Sequence, residues 1–333
     1  MKAFIVDRYK SKTGMRSGEV PVPQIAEDEV LVAVHAAAVN LIDAKILNGE
    51  FKLILPYRTP FVLGHDVAGM VVRAGSGVRQ FKPGDAVYAR PHDLRIGTFA
   101  EFVAVKESAL ALKPKNISME EAASLPLVAL TAWQALVENA QLKPGQKVFI
   151  QAGSGGVGTF AIQLAKHLGA FVATTTSAAN EALVKGLGAD LVIDYRTDDF
   201  EKVLHGYDVV LNSQDAKTLQ KSLQVLKPGG RLISISGPPD PAFADAIHAP
   251  WMVKQVMRLL SLGVRGKAQR RDVDYAFLFM QANGSQLRQI AALVESGAIR
   301  PVLDQVFPFE STNEALAYVE SSRAKGKVVI KVR

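Results

Sequence analysis

The stretch QAGSGGVGTF, residues 151–160, decides how this chain folds. Gly153, Gly155 and Gly158 have the GxGxxG spacing. Before them KVFIQA reads as a short buried strand. After them VGTFAIQLAKHLGA has helical periodicity through Val157, Phe160, Ile162, Leu164, Ala165 and Leu168, and stops at Gly169. FVATT supplies a second strand and completes a βαβ unit of about 30 residues, the setting in which such a turn binds a dinucleotide. Gly153 permits the tight turn, Gly155 lets backbone approach a pyrophosphate, and Gly158 lets the helix pack on the strand. Ser154, Gly156 and Val157 complete the turn, and the helix N-terminus offers unpaired N–H groups to phosphate.

An Asp or Glu normally follows at the end of the second strand to hold the ribose of NAD. Phe171 to Asn180 contains no acid. Thr174, Thr175, Thr176 and Ser177 stand there instead, with hydroxyl donors and no charge to repel a 2′-phosphate, so NADP is the expected cofactor. Tyr195 and Arg196, after the third strand, are the expected cationic and aromatic partners, with Lys185 on the intervening helix.

Working outward, strand and helix alternate from about Pro126: DLVIDY, YDVVLNS and GGRLISIS read as strands, AANEALVKGLG and DAKTLQKSLQVL as helices. That alternation specifies a doubly wound parallel sheet. Asn212, Ser236 and Gly237 follow strand ends at the carboxyl edge, where ligands of such sheets bind. The first third of the chain is rich in strands (KAFIV, EVLVAVHAAAV, VAGMVVRAG, DAVYA, FAEFVAV), broken by turns such as SKTG and KPGD, and the tail from PVLDQVFPFE to GKVVIKV returns to strand chemistry. The expected organisation is α/β: a β-rich unit, residues 1–125 and 283–333, interrupted by a nucleotide-binding unit, residues 126–282.

Composition narrows the function. The 333 residues carry a net charge of +7, but the 39 Lys and Arg are scattered, so no nucleic-acid partner is expected. With no cysteine there is no disulfide, thiolate chemistry or Cys-ligated zinc. The apolar run in MKAFIVDRYK is too short for a signal peptide, and no segment reaches the ~18 apolar residues of a membrane span. A cytoplasmic protein without a membrane partner is the expectation.

Several motifs together (AAAVNLIDAK, FVLGHDVAGMVV, FKPGDAVYA, GTFAEFVAV, EEAASLPLVALTAWQAL, LKPGGRLISISG and GKVVIKV) resemble the zinc-independent quinone oxidoreductase type of medium-chain dehydrogenase/reductase, near the plant alkenal and enone oxidoreductases. The resemblance runs end to end. It implies a GroES-like catalytic domain around a Rossmann NADP-binding domain, a homodimer, and a quinone or enone substrate. Zinc-dependent relatives have GVCxxD in the strand that corresponds to AVNLID, and GHE further on. Here Asn40 stands in place of the cysteine and GHD leaves His65 and Asp66 without other ligands, so no metal is expected and His65 reads as a hydrogen-bonded structural residue. Asn180 lies where the family often has a Lys for the 2′-phosphate.

A cofactor hydride delivered to the β-carbon of an enone, or to a quinone, builds delocalised enolate or phenolate charge that hydrogen-bond donors can stabilise without a metal. The resemblance implies that Asn40 and Asp43 line the place of reaction, with Asn40 donating its amide to substrate or ribose and Asp43 orienting neighbours or capping the strand end. Tyr57 is the expected oxygen-polarising donor, or an aromatic packing residue. Thr131 resembles a family threonine that contacts the nicotinamide end. A nucleotide sensor or structural protein with this fold and no turnover is the alternative. Residues 238–271, which start at a strand's carboxyl end with Pro238, Pro239 and Pro241, are expected to form a mobile lid, or else a core or dimer-contact helix.

Overall fold

The computed structural model describes residues 1–333 except 12 and 53, so the SKTG turn lies partly outside the described residues. Two compact units emerge, Met1–Leu130 with Gln281–Arg333, and Thr131–Met280.

The first unit opens with β1 (Lys2–Val6), β2 (Arg16–Glu19), β3 (Glu29–Val39), α1 (Leu41–Leu47), β4 (Phe61–Val62), β5 (Asp66–Ala74), β6 (Ala86–Ala89), β7 (Phe102–Lys106), β8 (Leu110–Leu112) and α2 (Met119–Ala123), and reaches the boundary in α3 (Pro126–Trp133). The central strand is β3, buried at every position but His35 because EVLVAVHAAAV is apolar on both faces. The strand reading of AVNLID fails at Asn40. There the backbone takes the extended geometry of an N-cap, and Asp43, at the third helical position, accepts the Asn40 N–H at 2.8 Å, so the chain turns into α1.

The second unit runs β9 (Lys147–Ile150), α4 (Gly156–His167), β10 (Phe171–Thr176), α5 (Glu181–Gly186), β11 (Leu191–Asp194), α6 (Phe200–Val203), β12 (Tyr207–Asn212), α7 (Ala216–Ser222), β13 (Leu226–Ser234), α8 (Pro241–Ala246), α9 (Trp251–Gln269) and β14 (Asp274–Phe277). Its six strands are all parallel, in the order β11-β10-β9-β12-β13-β14. The order reverses beside β9, so the crevice that ligands use in such sheets opens at the glycine turn. Phe160, Ile162 and Leu164 are buried along α4, each worth about 1.5–3 kcal/mol of burial. A charge at Ile162 would detach the helix that carries the turn.

The chain returns to the first unit through α10 (Gly284–Glu295), β15 (Leu303–Pro308), α11 (Thr312–Glu320) and β16 (Lys327–Lys331). Here β15-β16-β3-β5-β6-β8 form one sheet with β7 also paired to β3, and β2-β1-β4 form a second. Residues 126–130 and 281–282, expected in the nucleotide-binding unit, pack with the first unit instead. One tie is visible: the Leu127 N–H, at the start of α3, donates to the Asp66 carboxylate at 2.7 Å.

Residues 238–271 form α8 and α9 joined by a short connection. The prolines do not prevent α8, because Pro241 occupies its first turn, where an N–H is not needed, and Asp240 caps it by accepting the Phe243 N–H at 2.8 Å. Met257, Ser261, Val264 and Ala268 anchor the 19-residue α9. No helix among the described residues is long and apolar enough to cross a membrane.

Candidate functional site

In the second unit, Gly153–Gly158 links β9 to α4. A Cβ at Gly153 would lie 2.2 Å from Thr174 Oγ1, and one at Gly158 2.3 Å from the Ala152 carbonyl oxygen, so packing alone demands glycine at both. Gly155 differs. Its φ is −81°, open to any residue, and a Cβ there would meet only the Ala152 carbonyl oxygen, at 3.3 Å. Among the described residues only this one close contact bears on glycine at 155, far milder than those at 153 and 158, while an anion drawn against the backbone at the N-terminus of α4 would demand it. The turn therefore fits a pyrophosphate.

The hydroxyl edge at the end of β10 splits. Thr174 is turned into the sheet and donates to the Ile150 carbonyl at 2.6 Å, so it offers nothing to a ligand. Thr175 Oγ1 accepts the Ala152 N–H at 3.2 Å, and Thr176 Oγ1 donates to Ser154 Oγ at 2.9 Å; these bonds tie strand to turn. Asn180 also donates to Ser154 Oγ, at 3.3 Å. The hydroxyl hydrogens of Ser154, Thr175 and Ser177 have no acceptor among the described residues. An acid stands one strand further on: Asp194, paired in register with Thr176, accepts the N–H groups of Ala178 and Arg196, both at 3.0 Å. It shapes the turn that carries Tyr195 and Arg196, whose guanidinium lies 5.8 Å from the Tyr195 ring centre.

Asn212 is fully buried in a closed network. Its amide donates to Gln151 Oε1 at 2.7 Å, and its Oδ1 accepts Ser234 Oγ at 2.7 Å and Ser236 Oγ at 3.3 Å. The Gly237 N–H donates to Ser234 Oγ at 2.8 Å. Gln151 and Ser234 hold this edge together, a role the sequence reading did not give them. Thr131 is buried in α3, where this unit begins.

In the first unit Asn40 and Asp43 come together with His65, Asp66 and Lys327, all buried. Asp43 caps α1 through one oxygen and holds His65 Nδ1 at 2.6 Å through the other, so it both caps and orients. His65 Nε2 is buried with no partner among the described residues. The Asn40 amide donates to Asp66 Oδ2 at 2.8 Å and to the Ala38 carbonyl at 3.3 Å, and its Oδ1 accepts from the Lys327 ammonium. Both hydrogens expected to reach substrate or ribose are thus taken inside the unit. Lys327 also donates to the Val39 carbonyl at 3.2 Å and lies 3.4 Å from Asp66 Oδ2. Burial pushes the Asp66 carboxyl up, against the pull of Lys327 and its hydrogen-bond donors, and pushes the Lys327 ammonium down, against Asp66 and Asp43. Lys327 was missed in the sequence, where the only signal is a lysine opening the buried strand KVVIK.

The Tyr57 ring stacks on Phe61 at 5.0 Å, and its hydroxyl oxygen accepts the Leu94 N–H at 3.4 Å. Burial pushes the phenol well above its ordinary value, so it keeps its proton. Among the described residues no three His, Cys, Asp or Glu side chains are grouped as a metal site.

Comparison with known proteins fits this geometry. The family description "Alcohol dehydrogenase GroES-like domain" matches residues 26–115, and "Zinc-binding dehydrogenase" matches residues 187–330. The chain is 36% identical over 341 residues to the chloroplastic NADPH-dependent alkenal/one oxidoreductase of Arabidopsis thaliana, across 99% of this chain and 79% of that protein. It is 37% identical over 341 residues to 2-methylene-furan-3-one reductase of Solanum lycopersicum, with the same coverage of both. Among solved structures, the quinone oxidoreductase from Coxiella burnetii superposes with a TM-score of 0.87 at 30% identity, covering 100% of this chain and 99% of that one. A GroES-like unit interrupted by a parallel sheet, together with these relatives, makes the chain an oxidoreductase. The chain belongs to the medium-chain dehydrogenase/reductase family, in its quinone oxidoreductase branch.

Proposed function

We propose that this chain is an NADPH-dependent reductase of quinones or of the C=C bond of α,β-unsaturated carbonyl compounds. The observation that carries the reading is a Gly155 whose side-chain space meets only the Ala152 carbonyl oxygen, beside a strand end lined by hydroxyls and free of carboxylate on β10. The Gly153–Gly158 turn and the N-terminus of α4 would hold the pyrophosphate. The free hydroxyl hydrogens of Ser154, Thr175 and Ser177, with Arg196 and Tyr195, would hold the 2′-phosphate. Thr131, Ser236 and Gly237 belong to the nicotinamide end in this reading, and Asn212 positions Ser236 through its own buried amide.

NADPH, when bound, supplies a hydride. The residues of the first unit then orient substrate and stabilise charge on its oxygen. Tyr57 holds a proton that burial keeps on the phenol, the donor that delocalised enolate or phenolate charge requires. Asn40 and Asp43 act as positioning residues, Asn40 by tying β3 to Asp66 and Lys327, and Asp43 by fixing the start of α1 and the His65 ring. The names of the two plant relatives, an alkenal/one oxidoreductase and a furan-3-one reductase, support the substrate class. A homodimer belongs to the same reading and rests on the family resemblance.

Titration of the protein with NADPH and NADH, followed by nucleotide fluorescence, tests the cofactor assignment. NADPH is expected to bind at least about tenfold tighter, a difference of ~1.4 kcal/mol. Equal or tighter NADH binding overturns it.

A further inference from the structure

Helix α9 has two apolar faces. Met257, Ser261, Val264 and Ala268, spaced by four, three and four residues, are buried on the sheet. Met252, Val256, Leu259 and Gly263 repeat the same spacing five residues earlier, which at about 100° per residue turns them ~140° from the buried row. This second row points to solvent. Trp251 is 73% exposed, Met252 72%, Val256 54%, Leu259 66%, Leu260 62% and Leu262 52%. Six large apolar side chains exposed within twelve residues form a patch, where scattered single ones would need no explanation.

The charge on the helix is of one sign. From Trp251 to Gln269 there are Lys254, Arg258, Arg265 and Lys267 and no acid, and Arg270 and Arg271 follow at once. Asp245 answers Lys254 at 2.6 Å, and Lys267 donates to Gln220 at 2.8 Å. Arg258, Arg265, Arg270 and Arg271 have no ion-pair partner among the described residues. Lys254, Arg258 and Arg265 form a row on one flank of the exposed apolar face, from which long side chains can reach headgroups while that face enters the acyl boundary.

We infer that the outer face of α9 docks on an anionic lipid surface. Charge selects this occupant. A second copy packed through the same face would bring four more cations and no carboxylate from the helix, whereas an anionic bilayer answers the unpaired arginines and takes up the apolar row, with Trp251 at the headgroup level. None of the residues of this surface is among those assigned to cofactor or substrate. It departs from the expectation of no membrane partner, and it agrees with the absence, among the described residues, of a spanning helix.

Flotation of the full chain with vesicles tests this. Binding is expected to vesicles of phosphatidylglycerol and phosphatidylcholine at low salt, not to phosphatidylcholine alone, and to fall as salt rises. Brominated lipid should quench tryptophan emission in the unaltered chain and much less in Trp251→Phe. The double variants Leu259→Glu with Leu260→Glu, and Arg258→Glu with Arg265→Glu, should each lower partitioning about tenfold or more. Both should bind NADPH as the parent does, which shows an intact fold and separates this result from the fate of the proposed activity. Equal binding to neutral vesicles, no binding at low salt, or binding unchanged in the variants overturns the inference. So does a dimer that the Leu259→Glu, Leu260→Glu pair dissociates with no lipid binding, which would identify the face as a contact between copies.

Discussion

Gly155 and Gly158 sit three residues apart in the same turn, and replacing each by Ala should have opposite consequences. At Gly158 the new Cβ would fall 2.3 Å from the Ala152 carbonyl oxygen and 2.7 Å from Gly153 Cα. Both obstacles are backbone, so α4 must back away from β9, an overpacking cost of about 1–3 kcal/mol or more. At roughly 2–4 °C per kcal/mol for a unit of this size, Gly158→Ala should melt ~2–12 °C lower. At Gly155 the single neighbour is 3.3 Å away and the backbone is in an ordinary extended conformation. The N-cap preference lost there, ~0.5–1 kcal/mol, is offset by a similar gain from a stiffer unfolded chain. Gly155→Ala should therefore melt within about 2 °C of the parent. The added methyl stands in the space reserved for the pyrophosphate, so Kd for NADPH should rise at least about tenfold, ~1.4 kcal/mol. Differential scanning fluorimetry and fluorescence titration on the same samples read both effects. A Gly155→Ala protein that binds NADPH with unchanged Kd would refute the assignment of the turn, whatever its melting temperature.

Lys327→Met strands the Asp66 carboxylate and leaves the Asn40 and Val39 acceptors unpaired, at a cost of about 3–5 kcal/mol. Adding Asp66→Asn should restore part of that loss in thermal denaturation, and simple additivity of the two variants would count against the pairing. Tyr57→Phe should lower kcat about tenfold to a hundredfold with little change in NADPH binding; unchanged kcat would remove Tyr57 from the chemistry. The Tyr57 phenol is raised in the folded state, so its contribution to stability is complete below pH ~10 and is lost as pH rises through the folded value. Denaturant titrations from pH 9 to 11 should accordingly show a smaller alkaline loss for Tyr57→Phe than for the parent.

The dinucleotide turn was legible because its cues are local: glycine spacing, a strand before it and a helix after it, all within one βαβ unit. The same sequence could not separate Gly155 from its neighbours, since that distinction depends on which atoms a Cβ would meet. The polar cluster around Asn40 was only half legible. Asn40 and Asp43 are picked out together, but they meet as an N-cap and the third residue of a helix where AVNLID reads as a strand. Lys327 comes from 287 positions away, and nothing in a strand's alternation reports which distant carboxylate it will reach. Residues 238–271 read as a lid, or else a core or dimer-contact helix, from their start at a strand's carboxyl end and their three prolines. Pro241 was compatible with a helix start, and the anchoring row of α9 was hidden because the helix carries a second apolar row on its other side.

Product analysis gives the sharpest test of whether the protein reduces a conjugated acceptor with NADPH. Purified protein, NADPH, a chelator and a simple enal should be incubated together, and the products identified by NMR. The expected product is the saturated aldehyde, formed with stoichiometric loss of NADPH, with no turnover of a saturated ketone. An allylic alcohol in place of the saturated aldehyde, or activity abolished by the chelator and restored by zinc, would contradict it.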